Sequence, residues 1–191
     1  MPSVLNKYYI IALLILIISC ERDISVLNDS APPLYQPNYF ELISPIGFPI
    51  IETTQNNLFT EEGVFLGKKL FHDPILSGNN QQSCSSCHIQ GFSFSDPSPV
   101  SIGINGEPGS RNAMSIMNLA WMNAHNWDGS ANSLEEQALE PVTNPLEMNA
   151  QWPEVINKLK SHSEYPNLFY QAFGILDFDS SHVSKAISQF E

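Results

Sequence analysis

The residues with the clearest chemistry form one short motif. Cys84, Cys87 and His88 stand in the pattern Cys-x-x-Cys-His. On a helical turn the two thiols lie on adjacent edges, where they can add to the two vinyl groups of one haem while the histidine presents its imidazole to the iron. This spacing is typical of c-type haem attachment. We therefore predict one covalently bound haem c, with His88 as the ligand of the haem iron.

Two other uses of this cysteine pair are weaker. A redox-active Cys-x-x-Cys pair is expected beside a strand–helix unit, and the sequence shows no such unit. A structural zinc site needs a second pair of ligands. The chain has three cysteines in all, and the third, Cys20, lies far from the motif. Haem attachment is therefore the favoured interpretation.

The N-terminus predicts export and a lipid anchor. Lys7 is the only charge before residue 21, and Tyr8 to Ile18 is an unbroken apolar run of 11 residues. Such a run is too short to span a bilayer and suits a secretory signal. The ending Ser19-Cys20 resembles a bacterial lipobox, so we expect residues 1–19 to be a lipoprotein signal peptide. Cys20 would carry the lipid on the periplasmic side, and Glu21 favours the outer membrane.

The charge balance limits the partners. The chain of 191 residues carries 8 Lys and Arg against 20 Asp and Glu, a formal net charge of −12. Nucleic acid is excluded as a partner, because phosphate binding needs a basic face. An acidic surface would instead attract a basic protein. The membrane is expected to be met through the lipid anchor only.

The chain segments that position the motif are predicted to be helices. Residues 20–58 are rich in chain breakers and are predicted to form a tether, and residues 59–191 to form one domain. Ser133 begins a capping box, and Pro141 is expected to end that helix. No alternating strand longer than a few residues is evident, and the segment from Gly91 to Arg111 reads as a long loop. Further helix starts are predicted near Thr60, Pro153, Pro166 and Ser181.

A series of short motifs surrounds this centre. They are, in order, Leu66-Gly67-Lys68-Lys69-Leu70-Phe71, Asp73-Pro74, Leu76-Ser77, Ser101-Ile102-Gly103, Arg111-Asn112, Trp127-Asp128-Gly129, Leu134-Glu135-Glu136-Gln137, Glu147-Met148 and Phe190-Glu191. Over about residues 58–191 the sequence resembles the bacterial di-haem cytochrome c peroxidase family, which includes the MauG branch. The resemblance implies an all-α, cytochrome c-like haem domain with long loops, equivalent to the N-terminal peroxidatic domain.

The resemblance also implies roles for four residues. Glu147 matches the carboxylate that moves a proton between the two oxygens of peroxide, and Gln137 matches the amide beside it. Trp127 matches a tryptophan that lies between two haems. Asn112 matches a residue of a calcium site, and its amide oxygen suits that ion. These four roles are expectations from the resemblance.

The activity implied by the resemblance is reduction of hydrogen peroxide to water. Electrons would come from a small cytochrome c or copper protein. Two alternatives stay open: a mono-haem electron carrier, and a MauG-like oxidase that acts on a partner protein. The family carries a second haem domain with its own Cys-x-x-Cys-His motif, whereas this sequence has one such motif. We expect the chain to be truncated before that domain.

Three departures from the family pattern are visible. Ile104 stands where many members have a histidine that ligates the iron. Ser130 replaces a common arginine, which is expected to deprive Asp128 of a charge partner. Asn126 replaces an aromatic residue before Trp127. The remaining histidines match no family motif and are expected to be surface or hydrogen-bonded residues: His72, His125, His162 and His182.

Overall fold

The computed structural model describes residues 34–51 and 55–191. The predicted signal peptide and the predicted lipid site at Cys20 lie outside the described residues. In the part of the chain that is described, no helix combines the length and the apolar character needed to cross a membrane.

The described residues form an all-α domain, as predicted. Five α-helices and four short 3₁₀ turns are present, and pairing between extended segments is limited to isolated bridges. We label the helices α1 (Glu61–His72), α2 (Leu134–Thr143), α3 (Trp152–Ser161), α4 (Tyr165–Phe173) and α5 (Ser180–Phe190). The 3₁₀ turns are Pro74–Leu76, Cys84–Ser86, Gln90–Phe92 and Leu119–Trp121.

Three of the predicted helix starts, those of α1, α2 and α5, follow side-chain caps. The Thr60 side chain accepts a hydrogen bond from the Gly63 N–H at 2.9 Å, and the Ser133 side chain accepts one from the Glu136 N–H at 3.1 Å. Each cap satisfies a backbone donor that the first helical turn leaves without a partner. Asp179 caps α5, so that helix begins one residue before the predicted Ser181.

The expected end of α2 at Pro141 is wrong. Pro141 lies inside the helix, which continues to Thr143. A proline removes one backbone donor and crowds the preceding turn. Here the helix ends two residues later, and the Pro141 carbonyl accepts a hydrogen bond from the Met148 N–H at 3.2 Å. This backbone hydrogen bond holds the chain after α2 against the end of the helix.

The domain is organised around the crossing of α1 and α5. A Cβ atom added to Gly67 would lie 1.8 Å from the Ala186 carbonyl oxygen. Only glycine permits this approach of two backbones. Phe169 and Phe178 stack at 3.7 Å between ring centroids in the same core. Side chains that are fully buried there include Leu66, Leu70, Leu76, Val155, Leu159, Tyr165 and Val183.

The segment before α1 contacts this domain. The Tyr35 hydroxyl donates to the Ala172 carbonyl at 3.1 Å. The Phe48 ring lies 4.9 Å from the Trp121 ring, and the Trp121 indole N–H donates to the Pro49 carbonyl at 2.9 Å. Tyr35, Phe48 and Pro49 of the predicted tether therefore contact the domain.

The crossing of α1 and α5 generates a stability prediction. Gly67→Ala should lower the free energy of unfolding by roughly 3 kcal/mol, because the new methyl group would overlap the Ala186 carbonyl. Gly91→Ala is the matched control, since a Cβ there meets nothing within 4 Å. Thermal unfolding followed by circular dichroism compares the two variants. A Gly67→Ala protein as stable as the control would contradict the close approach.

Candidate functional site

One cleft brings together the predicted site residues. A cavity of about 340 Å³ is bordered by the Cys-x-x-Cys-His turn, the loops at 101–116 and 125–130, and helix α2. A smaller cavity of about 50 Å³ adjoins it on the side of the thiols. Both cavities are lined by Cys87, His88, Gln137 and Glu147. Cys84 lines the smaller cavity, and Trp127 and Asn112 line the larger one.

The cysteine motif forms a compact turn. Cys84–Ser86 is one turn of 3₁₀ helix, held by a hydrogen bond from the Ser83 N–H to the Ser86 hydroxyl at 3.0 Å. The His88 N–H donates to the Cys84 carbonyl at 3.0 Å, which brings the histidine beside the first thiol. Cys84 and Cys87 are both free thiols. Burial and the charge of Glu191 raise the pKa of the Cys84 thiol to about 12, so it is protonated at neutral pH.

His88 is held as a neutral imidazole. Its Nδ1 donates to the Phe94 carbonyl at 3.1 Å, which places the lone pair on Nε2. Burial lowers the pKa of His88, against smaller opposing effects of the Phe94 and Met114 carbonyls. A metal-bound histidine commonly has this arrangement, because the second nitrogen then fixes the ring. Two free thiols and a neutral imidazole at the edge of one cavity fit a covalently bound haem.

Glu147 is the one acid among the described residues that lines both cavities. It lies in the loop after α2, and Asn144 Nδ2 donates to its Oε1 at 2.8 Å. Burial raises the pKa of Glu147, against the smaller opposing effect of the Asn144 hydrogen bond, and the charge of Glu140 adds to the rise. The carboxyl therefore exchanges its proton nearer to neutral pH than an exposed glutamate does.

Backbone contacts fix the loop that carries Glu147. The Ile104 N–H donates to the Glu147 carbonyl at 2.9 Å, and the Gly78 N–H donates to the Met148 carbonyl at 2.8 Å. A Cβ on Gly103 would lie 2.1 Å from the Leu146 carbonyl oxygen, so the two loops touch through their backbones. The position of Glu147 thus depends on chain segments that are distant in sequence.

Gln137 and Trp127 face the cleft from different directions. Gln137 lies on α2, and in residues 34–51 and 55–191 its side-chain amide has no hydrogen-bond partner. This amide is available to a bound molecule. Trp127 lies on the rim with 60% of its surface exposed, and its indole N–H donates to the Asn112 carbonyl at 2.8 Å.

Asn112 acts as a brace between loops. Its Nδ2 donates to the Ser98 carbonyl at 2.8 Å, and its Oδ1 accepts from the Ser95 hydroxyl at 3.4 Å. No group of three or more His, Cys, Asp or Glu side chains that could hold a metal ion occurs among the described residues. Calcium binding at Asn112 stays a prediction from the resemblance alone.

The expectation that Asp128 lacks a charge partner is wrong. Arg111 Nη1 lies 2.9 Å from Asp128 Oδ2, and the Ser130 N–H donates to Asp128 Oδ1 at 3.2 Å. Hydrogen bonds from Ser130 and then Arg111 lower the pKa of Asp128 to about 2. Arg111 comes from a separate loop, so inspection of the residues beside Asp128 could not reveal it.

Ile104 does not line either cavity. A Cβ on Gly78 would lie 3.4 Å from the Ile104 Cδ1, which places the isoleucine side chain near that glycine. Ile102 and Gly103 border the large cavity instead. The loop from Gly91 to Arg111 contains no histidine, so it offers no imidazole to the cleft.

Two residues of the cleft have buried polar atoms that lack partners. His125, expected to be a surface or hydrogen-bonded residue, is 6% exposed and lines the large cavity, and its Nδ1 has no partner. Glu191 lines the small cavity, and its Oε2 is buried without a partner. Burial raises the pKa of Glu191 to about 8. The sequence pattern gave no signal for His125, because it lies in an irregular loop.

Comparisons with known proteins agree with this arrangement. The family model for di-haem cytochrome c peroxidase matches residues 61–191. The methylamine utilization protein MauG of Methylorubrum extorquens is 40% identical over 136 residues, covering 71% of this chain and 38% of that protein. The cytochrome c551 peroxidase of Pseudomonas aeruginosa is 36% identical over 147 residues, covering 77% of this chain and 40% of that protein.

A solved structure supports the same conclusion. A MauG-like protein associated with microbial copper homeostasis superposes with a TM-score of 0.74 at 33% identity, covering 79% of this chain and 45% of that chain. The chain thus spans less than half the length of these relatives. The predicted cytochrome c-like fold is confirmed by this superposition. With a family model that matches most of its length, the chain belongs to the di-haem cytochrome c peroxidase family.

Proposed function

We propose that this domain binds haem c through Cys84, Cys87 and His88 and takes part in the reduction of hydrogen peroxide to water. The observation that carries the proposal is the shared cleft, in which a neutral His88 and a proton-exchanging Glu147 line the same cavity. Each peroxide consumes two electrons and two protons and gives two water molecules. A small cytochrome c or copper protein would supply the electrons.

The bound haem supplies an iron atom at which the O–O bond of peroxide can be broken. His88 would hold that iron through Nε2, and the Phe94 carbonyl keeps the ring in place through Nδ1. Cys84 and Cys87 would form the thioether bonds. The fixed thiol turn places these three residues on one side of the cleft.

Glu147 would move the proton that cleavage of the O–O bond requires. Asn144 holds Oε1, so Oε2 is the oxygen that can accept a proton from the inner peroxide oxygen and return it to the outer one. The raised pKa of Glu147 makes both steps easier near neutral pH. Gln137 would orient the peroxide with its unpaired amide.

Trp127 offers a route for electrons at the surface. Its exposed ring lies on the rim of the cleft, and a basic donor would be drawn to a chain of net charge −12. The same exposed ring could serve oxidation of a partner protein. The 40% identity with a MauG protein favours this MauG-like oxidase as the second candidate function.

We further propose that the protein is periplasmic and lipid-anchored at Cys20. Cys20→Ser should release the protein from the membrane fraction, because the acyl chains supply the attachment. The haem content should not change, since the haem cysteines lie elsewhere. Fractionation followed by haem staining tests both points. A Cys20→Ser protein that stays in the membrane fraction would contradict the anchor.

Haem attachment is directly testable. We expect one haem per chain that remains with the polypeptide after denaturation and extraction with acidified organic solvent. Cys84→Ser and Cys87→Ser should each leave only one thioether bond, and the double variant should lose the haem on extraction. Mass spectrometry of the denatured chain measures the bound haem. Haem released from the wild-type chain would refute covalent attachment.

The role of Glu147 predicts a loss of rate. Glu147→Gln should slow the cleavage of peroxide by roughly 10²–10⁴-fold, the usual contribution of a positioned acid–base group. The wild-type rate should fall as the pH drops through a pKa above the ordinary glutamate range, because a protonated Glu147 cannot accept the peroxide proton. The variant should lack this fall.

Glu140→Gln is the matched control for this experiment. Glu140 lines the same cavity and accepts a hydrogen bond from Asn126 Nδ2 at 2.8 Å, which a glutamine oxygen can also accept. Its substitution should change the rate at neutral pH only slightly, and it should lower the pH at which the rate falls, because the charge of Glu140 raises the pKa of Glu147. Stopped-flow reaction with peroxide compares both variants. Equal rates for wild type and Glu147→Gln would remove Glu147 from the mechanism.

A further inference from the structure

His125 is held rigidly in the wall of the large cavity. The backbone N–H of His125 donates a hydrogen bond to the Ala131 carbonyl at 2.8 Å, and the backbone carbonyl of His125 accepts one from the Ala131 N–H at 3.4 Å. These bonds close a loop in which Asn126 and Gly129 take the left-handed conformation, with φ values of +65° and +70°. The side chain is buried and lines the cavity, so its position is set by the fold.

The burial of Nδ1 favours the tautomer of His125 that has its proton on Nε2. Its Nδ1 is buried and has no hydrogen-bond partner. A proton on Nδ1 would be a buried donor without an acceptor, which costs free energy, so the neutral ring carries its proton on the other nitrogen. Burial lowers the pKa of His125, against the opposing charge of Glu135, and this keeps the ring neutral. His125 therefore offers one N–H donor, at Nε2.

The position of the ring proton distinguishes His125 from His88. His88 donates from Nδ1 to the Phe94 carbonyl, which leaves its Nε2 lone pair for a metal. Metal-bound histidines almost always have such a partner on the second nitrogen. His125 has none. It is therefore suited to donate a hydrogen bond and not to ligate iron.

The carboxylates around His125 already have other donors. The pairs are Asp128 with Arg111, Glu135 with Asn57, Glu140 with Asn126 and Glu147 with Asn144. Within residues 34–51 and 55–191, no side chain accepts a hydrogen bond from the His125 ring. Nε2 is therefore free to donate a hydrogen bond to a group bound in the cavity that His125 lines.

The place of His125 in the cleft indicates which part of a haem it meets. A haem carries its two carboxylates on the side of the ring away from the vinyl groups that bond to cysteine. The small cavity is lined by both thiols and not by residues 125–130, whereas the large cavity is lined by His125 and by Cys87 but not by Cys84. His125 thus borders the part of the cleft away from the first thiol.

We propose that His125 Nε2 donates a hydrogen bond to a haem carboxylate. This inference rests on the proposed attachment of haem at Cys84 and Cys87. A donor at this place stabilises the ionised carboxylate and lowers its pKa. His125 thereby sets the pH range over which the reduction potential of the haem changes.

The test uses the purified holoprotein and three variants. His125→Phe removes the donor, His125→Gln keeps an N–H at the reach of Nε2, and His125→Asn places one only at the reach of Nδ1. Resonance Raman spectra report the bending vibration of the haem carboxylates, and potentiometric titration at several pH values reports their ionisation. His72→Phe, a histidine on the exposed side of α1, is the matched control.

We expect His125→Phe and His125→Asn to shift the carboxylate vibration. They should also raise the pKa seen in the plot of potential against pH by about one unit, a tenfold change worth about 1.4 kcal/mol. His125→Gln should restore most of the wild-type behaviour, and His72→Phe should match the wild type. If His125→Phe does not fold, the comparison of His125→Asn with His125→Gln tests the proposal instead.

Three results would overturn the proposal. The first is a carboxylate vibration and a potential profile in His125→Phe and His125→Asn that equal those of the wild type. The second is a low-spin ferric signal that disappears in His125→Phe, which would make His125 an iron ligand. The third is a changed affinity of the haem iron for fluoride in His125→Phe, with no change in the carboxylate vibration. A wild-type chain without covalent haem would instead refute the proposed function, so the two failures are distinguishable.

Discussion

The contact of α1 with α5 at Gly67 is the constraint on which the site depends. The two backbones meet where a side chain would overlap the Ala186 carbonyl, and the end of α5 lies at the small cavity, which Ile187 and Glu191 line. Phe71, near the end of α1, lies 6.4 Å from the His88 ring and 5.2 Å from the Phe190 ring at the end of α5. The proposed iron ligand is therefore supported by the helix crossing itself.

The rest of the cleft is built from loops that gain rigidity through backbone contacts. The loop at Gly103 touches the loop at Leu146, and the carbonyls of Glu147 and Met148 accept hydrogen bonds from Ile104 and Gly78. The Arg111–Asp128 ion pair joins two further loops at the rim. Irregular segments can carry functional side chains accurately when distant segments satisfy their backbone groups.

Local features of the structure were predictable from the sequence, and distant pairings were not. The caps at Thr60 and Ser133 and the turn at Cys84 depend on neighbouring residues, and they are found as predicted. The partnership of Arg111 with Asp128 and the burial of His125 depend on how loops meet, which no local pattern encodes. The predicted helix end at Pro141 was wrong because a proline near the last turn of a helix disrupts little of that helix.

The central proposal is that His88 would be the only imidazole bound to a haem iron in this cleft, which would leave the iron accessible to peroxide. Electron paramagnetic resonance of the purified ferric holoprotein tests this claim most directly. The account predicts a high-spin signal from this haem, because the loop from Gly91 to Arg111 has no histidine and the His125 ring lacks the Nδ1 acceptor of an iron ligand. A low-spin, bis-histidine signal from this haem would contradict it.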